Sequence, residues 1–173
     1  MTRIILVYGV IIGAIIIGVA ILTLALGVGI GQAWLGFLVM IVAFTGIFFA
    51  VKQYRDHSLG GVIRFGTAAL LGIGIAAVAG AIYVAVWEVY LYATDYAFMD
   101  FYADSMISQK RAAGASASEL AALSREMDEM RVAYANPLMR LPITFVEIFP
   151  VGLLIALISA AVLRTRRRPE ALA

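Results

Sequence analysis

The feature that most constrains this chain is a run from Ile4 to about Gly29 that contains no charged residue and almost no polar one. A helix needs about 20 such residues to cross the hydrocarbon core of a bilayer, and a helix that is apolar on every side must be covered by protein or lipid. Three further runs follow at about 33–51, 65–92 and 142–163, the last two with single charges, Glu88 and Glu147. The residues are 64% apolar and 14% charged. Soluble domains run at roughly half and a quarter, so a bilayer is the expected solvent. The first run exceeds the about 7–15 apolar residues of a secretory signal and lacks a small-x-small cleavage site in a polar flank, which predicts a retained span. The expected fold is an all-α integral membrane protein with four transmembrane helices.

The link Gly27-Val28-Gly29-Ile30-Gly31-Gln32 is short and rich in glycine, which predicts a tight hairpin of the first two spans. Lys52 to Ser58, followed by Gly60-Gly61, reads as a compact polar connector between the second and third. Basic residues then set the orientation. Arg3, Lys52, Arg55, Arg64, Arg164, Arg166, Arg167 and Arg168 flank the spans closely on one side. Lys110, Arg111, Arg125, Arg131 and Arg140 share one long segment with seven acids, Asp95, Asp100, Asp104, Glu119, Glu126, Asp128 and Glu129. Positive charge in short flanks governs topology, whereas long acidic segments cross regardless, so both termini are expected in the cytoplasm.

The segment 95–140 has the composition of a soluble amphipathic element. Ser116 and Glu119 match a capping box, and Leu120, Leu123, Met127, Met130 and Tyr134 repeat at alternating spacings of three and four. Asn136-Pro137 ends that helix, because the residue before proline is pushed out of the helical region. Upstream, Phe98, Met99, Phe101, Tyr102 and Met106 fit a helix continuing from the third span, with a break at Gly114. An extracytoplasmic amphipathic helical hairpin between the third and fourth spans is predicted. Its apolar stripes are expected to pack on each other or on the bilayer in preference to docking a partner protein.

Within the spans, Gly9 and Gly13, then Ala68, Gly72, Ala76 and Gly80, then Gly152, Ala156 and Ala160 recur every four residues. Such stripes let helix backbones approach closely in a solvent that supplies no hydrophobic drive between helices. Contacts within one chain are the simpler expectation, with a homodimer as the alternative.

Chemistry has few carriers. The absence of cysteine removes disulfides, thiol nucleophiles and thiolate metal sites, and His57 is the single histidine. No glycine-rich segment has the strand–turn–helix setting of a nucleotide fingerprint. Glu88 and Glu147, counted at 1.5 Å per residue, lie roughly 33 and 24 Å above the cytoplasmic edge and are the candidate polar site in the membrane. Glu88 among Trp87, Tyr90 and Tyr92 reads first as an interfacial residue in the aromatic belt. Glu147 lies deeper, near Pro150, and is open to two readings: a functional site, or a carboxylate paired with a neighbour such as Arg140. On the cytoplasmic side Tyr54, Arg55 and Asp56 form a candidate inner connector, whose simpler role, like that of Arg164 to Arg168, is contact with lipid phosphates. Enzyme activity, cofactors and nucleic-acid binding are not expected.

The set Tyr54-Arg55-Asp56, Gly61, Phe65-Gly66, Trp87-Glu88, Phe98-Met99-Asp100, Asn136-Pro137 and Phe145-Val146-Glu147-Ile148-Phe149-Pro150-Val151-Gly152 resembles the bacterial membrane proteins grouped as domain of unknown function 4199. The resemblance covers nearly the whole chain, and departs from the common pattern at Thr67, where a basic residue is usual. It implies four spans with an outward helical insertion in a bacterial inner membrane, and no particular activity. The functional expectation is therefore a non-enzymatic accessory or scaffold component whose outer hairpin contacts lipid, protein or a second copy. The alternative is a small dimeric transporter or channel using Glu147, with or without Glu88.

Overall fold

A computed structural model describes residues 1–27 and 33–165. Six helices occur in this order: α1 (Thr2–Ala25), α2 (Ala33–Ser58), α3 (Phe65–Ala93), α4 (Phe98–Ala112), α5 (Ala117–Ala135) and α6 (Pro137–Leu163). The described residues contain no strand. The glycine link 28–32 and the basic residues Arg166, Arg167 and Arg168 lie outside the described residues.

α1, α2, α3 and α6 are each long and apolar enough to cross a membrane. Their surfaces agree with that solvent. Phe44, Ile47, Leu71, Ile75 and Ile148 are fully buried, yet Leu22, Val42, Phe49, Leu70, Val89, Val146, Leu154 and Val162 stand exposed on the same helices. An apolar belt of this size would drive aggregation in water and is covered by acyl chains in a bilayer.

α3 is the central element, packed against α1, α2 and α6. The small-residue stripes explain why. A Cβ added at Gly72 would stand 2.8 Å from the Cβ of Ala156, and one added at Gly152 would stand 2.8 Å from the Cβ of Ala76. The stripes of α3 and α6 thus interlock reciprocally, at a backbone separation that only glycine opposite alanine permits. Gly9 and Gly13 of α1 meet Val78 and Ala79 of α3 in the same way. These contacts lie within one chain, as expected.

The ends of the bundle differ. At one end α2, α3 and α6 are joined through Thr165, whose amide donates to the Ile63 carbonyl at 3.0 Å and whose hydroxyl donates to the Gly61 carbonyl at 3.3 Å. At the other end α4 and α5 form a helical hairpin. Gly114 turns between them at φ 83°, and the capping box is present: the Glu119 amide donates to Ser116 Oγ while the Ser116 amide donates to Glu119 Oε2.

Three boundaries differ from the sequence reading. The connector at 52–58 is helical, so Tyr54, Arg55 and Asp56 occupy the last turns of α2. Nothing in Lys52 to Ser58 breaks a helix, and Arg55 and His57 near the C-terminus complement the helix dipole. α6 begins at Pro137 instead of about 142, because Asn136 caps it by accepting from the Leu138 amide and Pro137 occupies the first turn, where its missing N–H costs nothing. The helix then runs unbroken through Pro142 and Pro150. Finally, α4 does not continue α3. The chain turns at Thr94–Ala97, with Asp95 and Tyr96 in left-handed backbone at φ 51° and 57°.

Candidate functional site

The polar centre of the molecule lies where the hairpin meets the bundle. Glu88 sits near the end of α3, and Arg140 sits one turn into α6, on the face that continues through Thr144 and Ile148 into the core. The two meet in a fork: Arg140 Nε donates to Glu88 Oε1 at 2.7 Å and Nη2 donates to Oε2 at 2.6 Å. Nη1 donates to the Tyr134 carbonyl at 2.8 Å, at the end of α5. The side chain of Arg140 is only 3% exposed, and that of Glu88 is 25% exposed. A guanidinium buried this completely holds its place through paired charge and directed hydrogen bonds, since desolvation alone would expel it.

Aromatic residues enclose the pair. The Tyr96 ring lies 5.1 Å from the guanidinium carbon and the Tyr134 ring 5.8 Å, both within cation–π range. Trp87, the neighbour of Glu88, donates from Nε1 to the Tyr134 hydroxyl at 2.6 Å. Trp87 also stacks on Tyr90 and meets the edge of Phe98 at the start of α4. Burial pushes the Tyr134 phenol above its ordinary value, outweighing the hydrogen bonds from Trp87 and Thr144 that act the other way, so this group stays protonated. One cluster therefore fastens α3, α4, α5 and α6 together.

Beside it opens a pocket of about 380 Å³ lined by Leu91, Tyr96, Met99, Asp100, Arg131 and Arg140, among others. Arg131 crosses the hairpin from α5 to α4: its Nη1 donates to Asp128 at 3.0 Å, and its Nε stands 3.0 Å from Asp100 Oδ1. That second contact is an ion pair by distance but is misaligned as a hydrogen bond, which leaves the buried Nε without an acceptor.

The structure thus separates the two candidate glutamates. Glu88 is engaged by Arg140, the residue that sequence reasoning offered as a partner for Glu147. Glu147 lies seven residues further along α6, a rise of roughly 10 Å. It is exposed on the bundle surface and has no hydrogen bond or ion pair among the described residues. Neither glutamate lines the pocket. At the opposite end, Arg55 Nε donates to Asp56 Oδ1 at 2.6 Å, an exposed pair of sequence neighbours, and His57 Nδ1 lies 3.2 Å from the Gln53 carbonyl oxygen. Tyr54 packs against the core, so the inner candidates do not converge on a common site.

The hairpin stripe forms largely as spaced. Leu120, Leu123, Met127 and Tyr134 turn inward, with Met99, Tyr102, Ala103 and Met106 inward on α4, while Met130 is exposed. The stripes pack on each other, and Arg131 takes the place given to Met130. Sequence reasoning missed Arg140, Arg131 and Asp100 as one cluster. Their pairing spans distant segments, and the one local hint was a lone arginine at the mouth of an otherwise apolar run.

A family model described as "Protein of unknown function (DUF4199)" matches residues 7–165. No curated protein and no solved structure matches the chain.

Proposed function

Since the chain belongs to the DUF4199 family, whose description names no activity, we propose from its geometry that it is a non-enzymatic component of a bacterial inner membrane whose outer hairpin caps the bundle and rests on the lipid headgroup layer. The observation that carries this reading is the Arg140–Glu88 fork, reinforced by the bond from Trp87 to Tyr134. It joins the hairpin rigidly to α3 and α6 where those helices leave the hydrocarbon. Leu138, Val132 and Tyr92, at 81, 76 and 76% exposure, give the base of the hairpin an apolar surface suited to lipid. Arg3, Arg55, Arg64 and Arg164 gather at the other end, which supports cytoplasmic termini.

The absence of native cysteine makes the test direct. In intact cells an impermeant maleimide is expected to label Ala121→Cys on the hairpin and not Ser58→Cys at the end of α2; the reverse pattern rejects the arrangement. For the accessory role, lipid and protein recovery after in-cell crosslinking is compared with that of a chain lacking residues 96–135. Unchanged recovery rejects a contact function for the hairpin.

Glu147 supports a second reading, a small dimeric transporter or channel. An exposed carboxylate without a polar partner on a membrane-crossing helix is a common mark of an ion or proton path, and four helices leave room for a path only between two copies. A monomer in both detergent and lipid nanodiscs rules that reading out.

A further inference from the structure

We propose that the exposed face of α6 around Glu147 docks a membrane-spanning helix of another protein that carries a lysine or arginine in its outer half. The inference rests on the reading of the chain as an accessory component, and gives that component a contact inside the bilayer in addition to its hairpin.

Glu147 stands 16 residues from Leu163 on α6, a height of roughly 24 Å in a hydrocarbon core of about 30 Å. It is exposed on the bundle surface and has no hydrogen bond or ion pair among the described residues. It does not line the pocket beside the fork. An ionisable side chain is costly against lipid, and in membrane proteins such groups face a protein interior, a hydrated cavity or an opposite charge. A second helix laid on this face of α6 would supply the interior that one copy of the chain does not.

The chain has no cation to offer at this depth. Its 13 basic residues fall in the flanks of the spans and in the segment 95–140. The nearest along α6, Arg140, stands roughly 10 Å further out and is committed to Glu88. A second copy brings the same set of residues, so it would meet Glu147 with another carboxylate or with apolar surface. Charge complementarity therefore selects a cation from a different chain. The ammonium groups of lipids lie in the polar layer outside the hydrocarbon, whereas a helix backbone carries a lysine or arginine to the level of Glu147.

The surroundings of Glu147 have the form that a helix needs. Ile143, Glu147, Pro150, Leu154, Leu157 and Ala161 are all exposed and follow one another at alternating spacings of four and three. Helices seat against each other along a repeat of this kind, and a single polar residue within it fixes register and partner at a cost in stability.

The test measures energy transfer in lipid nanodiscs between a fluorophore at Ala121→Cys on the full chain and acceptor-labelled synthetic helices of leucine and alanine. These helices differ at one position, level with Glu147, which holds lysine, leucine or glutamate. The lysine helix is expected to associate saturably, and the other two to show only the transfer of random mixing. Glu147→Gln is expected to weaken association about tenfold or more, and Glu147→Leu to remove it. A carboxylate on another lipid-facing surface serves as the control: Leu38→Glu in the Glu147→Leu background. Leu38 is 49% exposed on α2, whose Phe44 lies against Gly152 of α6, so it stands about level with Glu147. That variant is expected to recover little association. Equal association of the lysine and leucine helices, a wild-type response from Glu147→Leu, or full recovery with Leu38→Glu overturns the proposal. A dimer of the chain alone that depends on Glu147 also overturns it, and favours the transporter reading. The labelling and crosslinking tests of the hairpin are scored separately. Their failure with lysine-helix association retained strikes the role given to the hairpin and leaves this face of α6 standing.

Discussion

Arg140 grips Glu88 across 52 residues of sequence through two parallel hydrogen bonds of 2.6 and 2.7 Å, with the arginine side chain almost wholly removed from solvent. A pair buried in this way contributes little net stability over an apolar substitute of the same shape, because two ions have been desolvated to form it. Its weight lies in specificity. Each partner is costly without the other, so the hairpin end of α3 and the start of α6 can meet in one register only.

Glu88→Gln leaves the buried guanidinium unpaired and is expected to destabilise the protein by about 3–5 kcal/mol, whereas Arg140→Met leaves the quarter-exposed Glu88 carboxylate and is expected to cost less. Glu88→Leu combined with Arg140→Met is expected to recover much of that loss. Unfolding in mixed micelles, read as a double-mutant cycle, gives the coupling energy directly. Single-mutant losses that simply add would show that the fork is not the clamp described above.

Tyr134 is a second fastening point. Tyr134→Phe removes the acceptor for Trp87 Nε1 and leaves a partly buried indole N–H unsatisfied, at a cost of about 1–3 kcal/mol. Trp87→Phe removes the donor instead, together with part of the stack on Tyr90, and is expected to cost a similar amount. Tryptophan emission should shift on Tyr134→Phe, since Trp87 reports on that contact and the other tryptophan, Trp34, lies on α2. An unchanged spectrum would place Trp87 away from Tyr134.

The parts of this fold that could be read in the sequence are those whose signal is local and periodic. The small residues at Ala68, Gly72, Ala76 and Gly80 repeat every four positions, and that period is the contact itself. The capping box at Ser116 and Glu119 likewise spans a single turn. The end of α2 was less legible, since the polar residues Lys52 to Ser58 look like a loop by composition although none of them breaks a helix. The fork was not legible. By sequence Glu88 reads as an interfacial residue touching water and Arg140 as a partner for Glu147, and nothing in the spacing of the five basic residues of segment 95–140 assigns Arg140 to Glu88. That choice is made by the turn at Asp95 and Tyr96 and by the cap at Asn136, whose geometry emerges only with packing.

Close approach of α3 and α6 makes a sharp prediction about volume. Gly152→Val would drive a Cβ to 2.8 Å from both the Ala76 Cβ and the Phe44 ring, so the helices must separate. Overpacking of this kind costs about 1–3 kcal/mol. Gly18→Val, on a part of α1 with nothing within 4 Å, serves as the control and is expected to be near neutral. Thermal unfolding of both variants in one detergent separates a packing effect from a general intolerance of valine in these helices.

The start of α5 should respond to acid in a defined direction. Hydrogen bonds from the Ser116 amide and hydroxyl hold the Glu119 carboxyl below its ordinary value. A carboxyl lowered on folding stabilises the cap fully above the unfolded carboxylate range, and that contribution is lost as pH falls through the lowered folded value. The Ser116 amide proton, followed by NMR in the full chain, should therefore titrate at a pH below that of an unperturbed glutamate. Glu119→Gln is expected to abolish that titration while keeping most of the helix, because the amide oxygen of glutamine can still accept from the Ser116 backbone. A wild-type midpoint at the ordinary glutamate value would mean that the capping box is open in the membrane-bound protein, and the first turn of α5 would then fray at neutral pH as well.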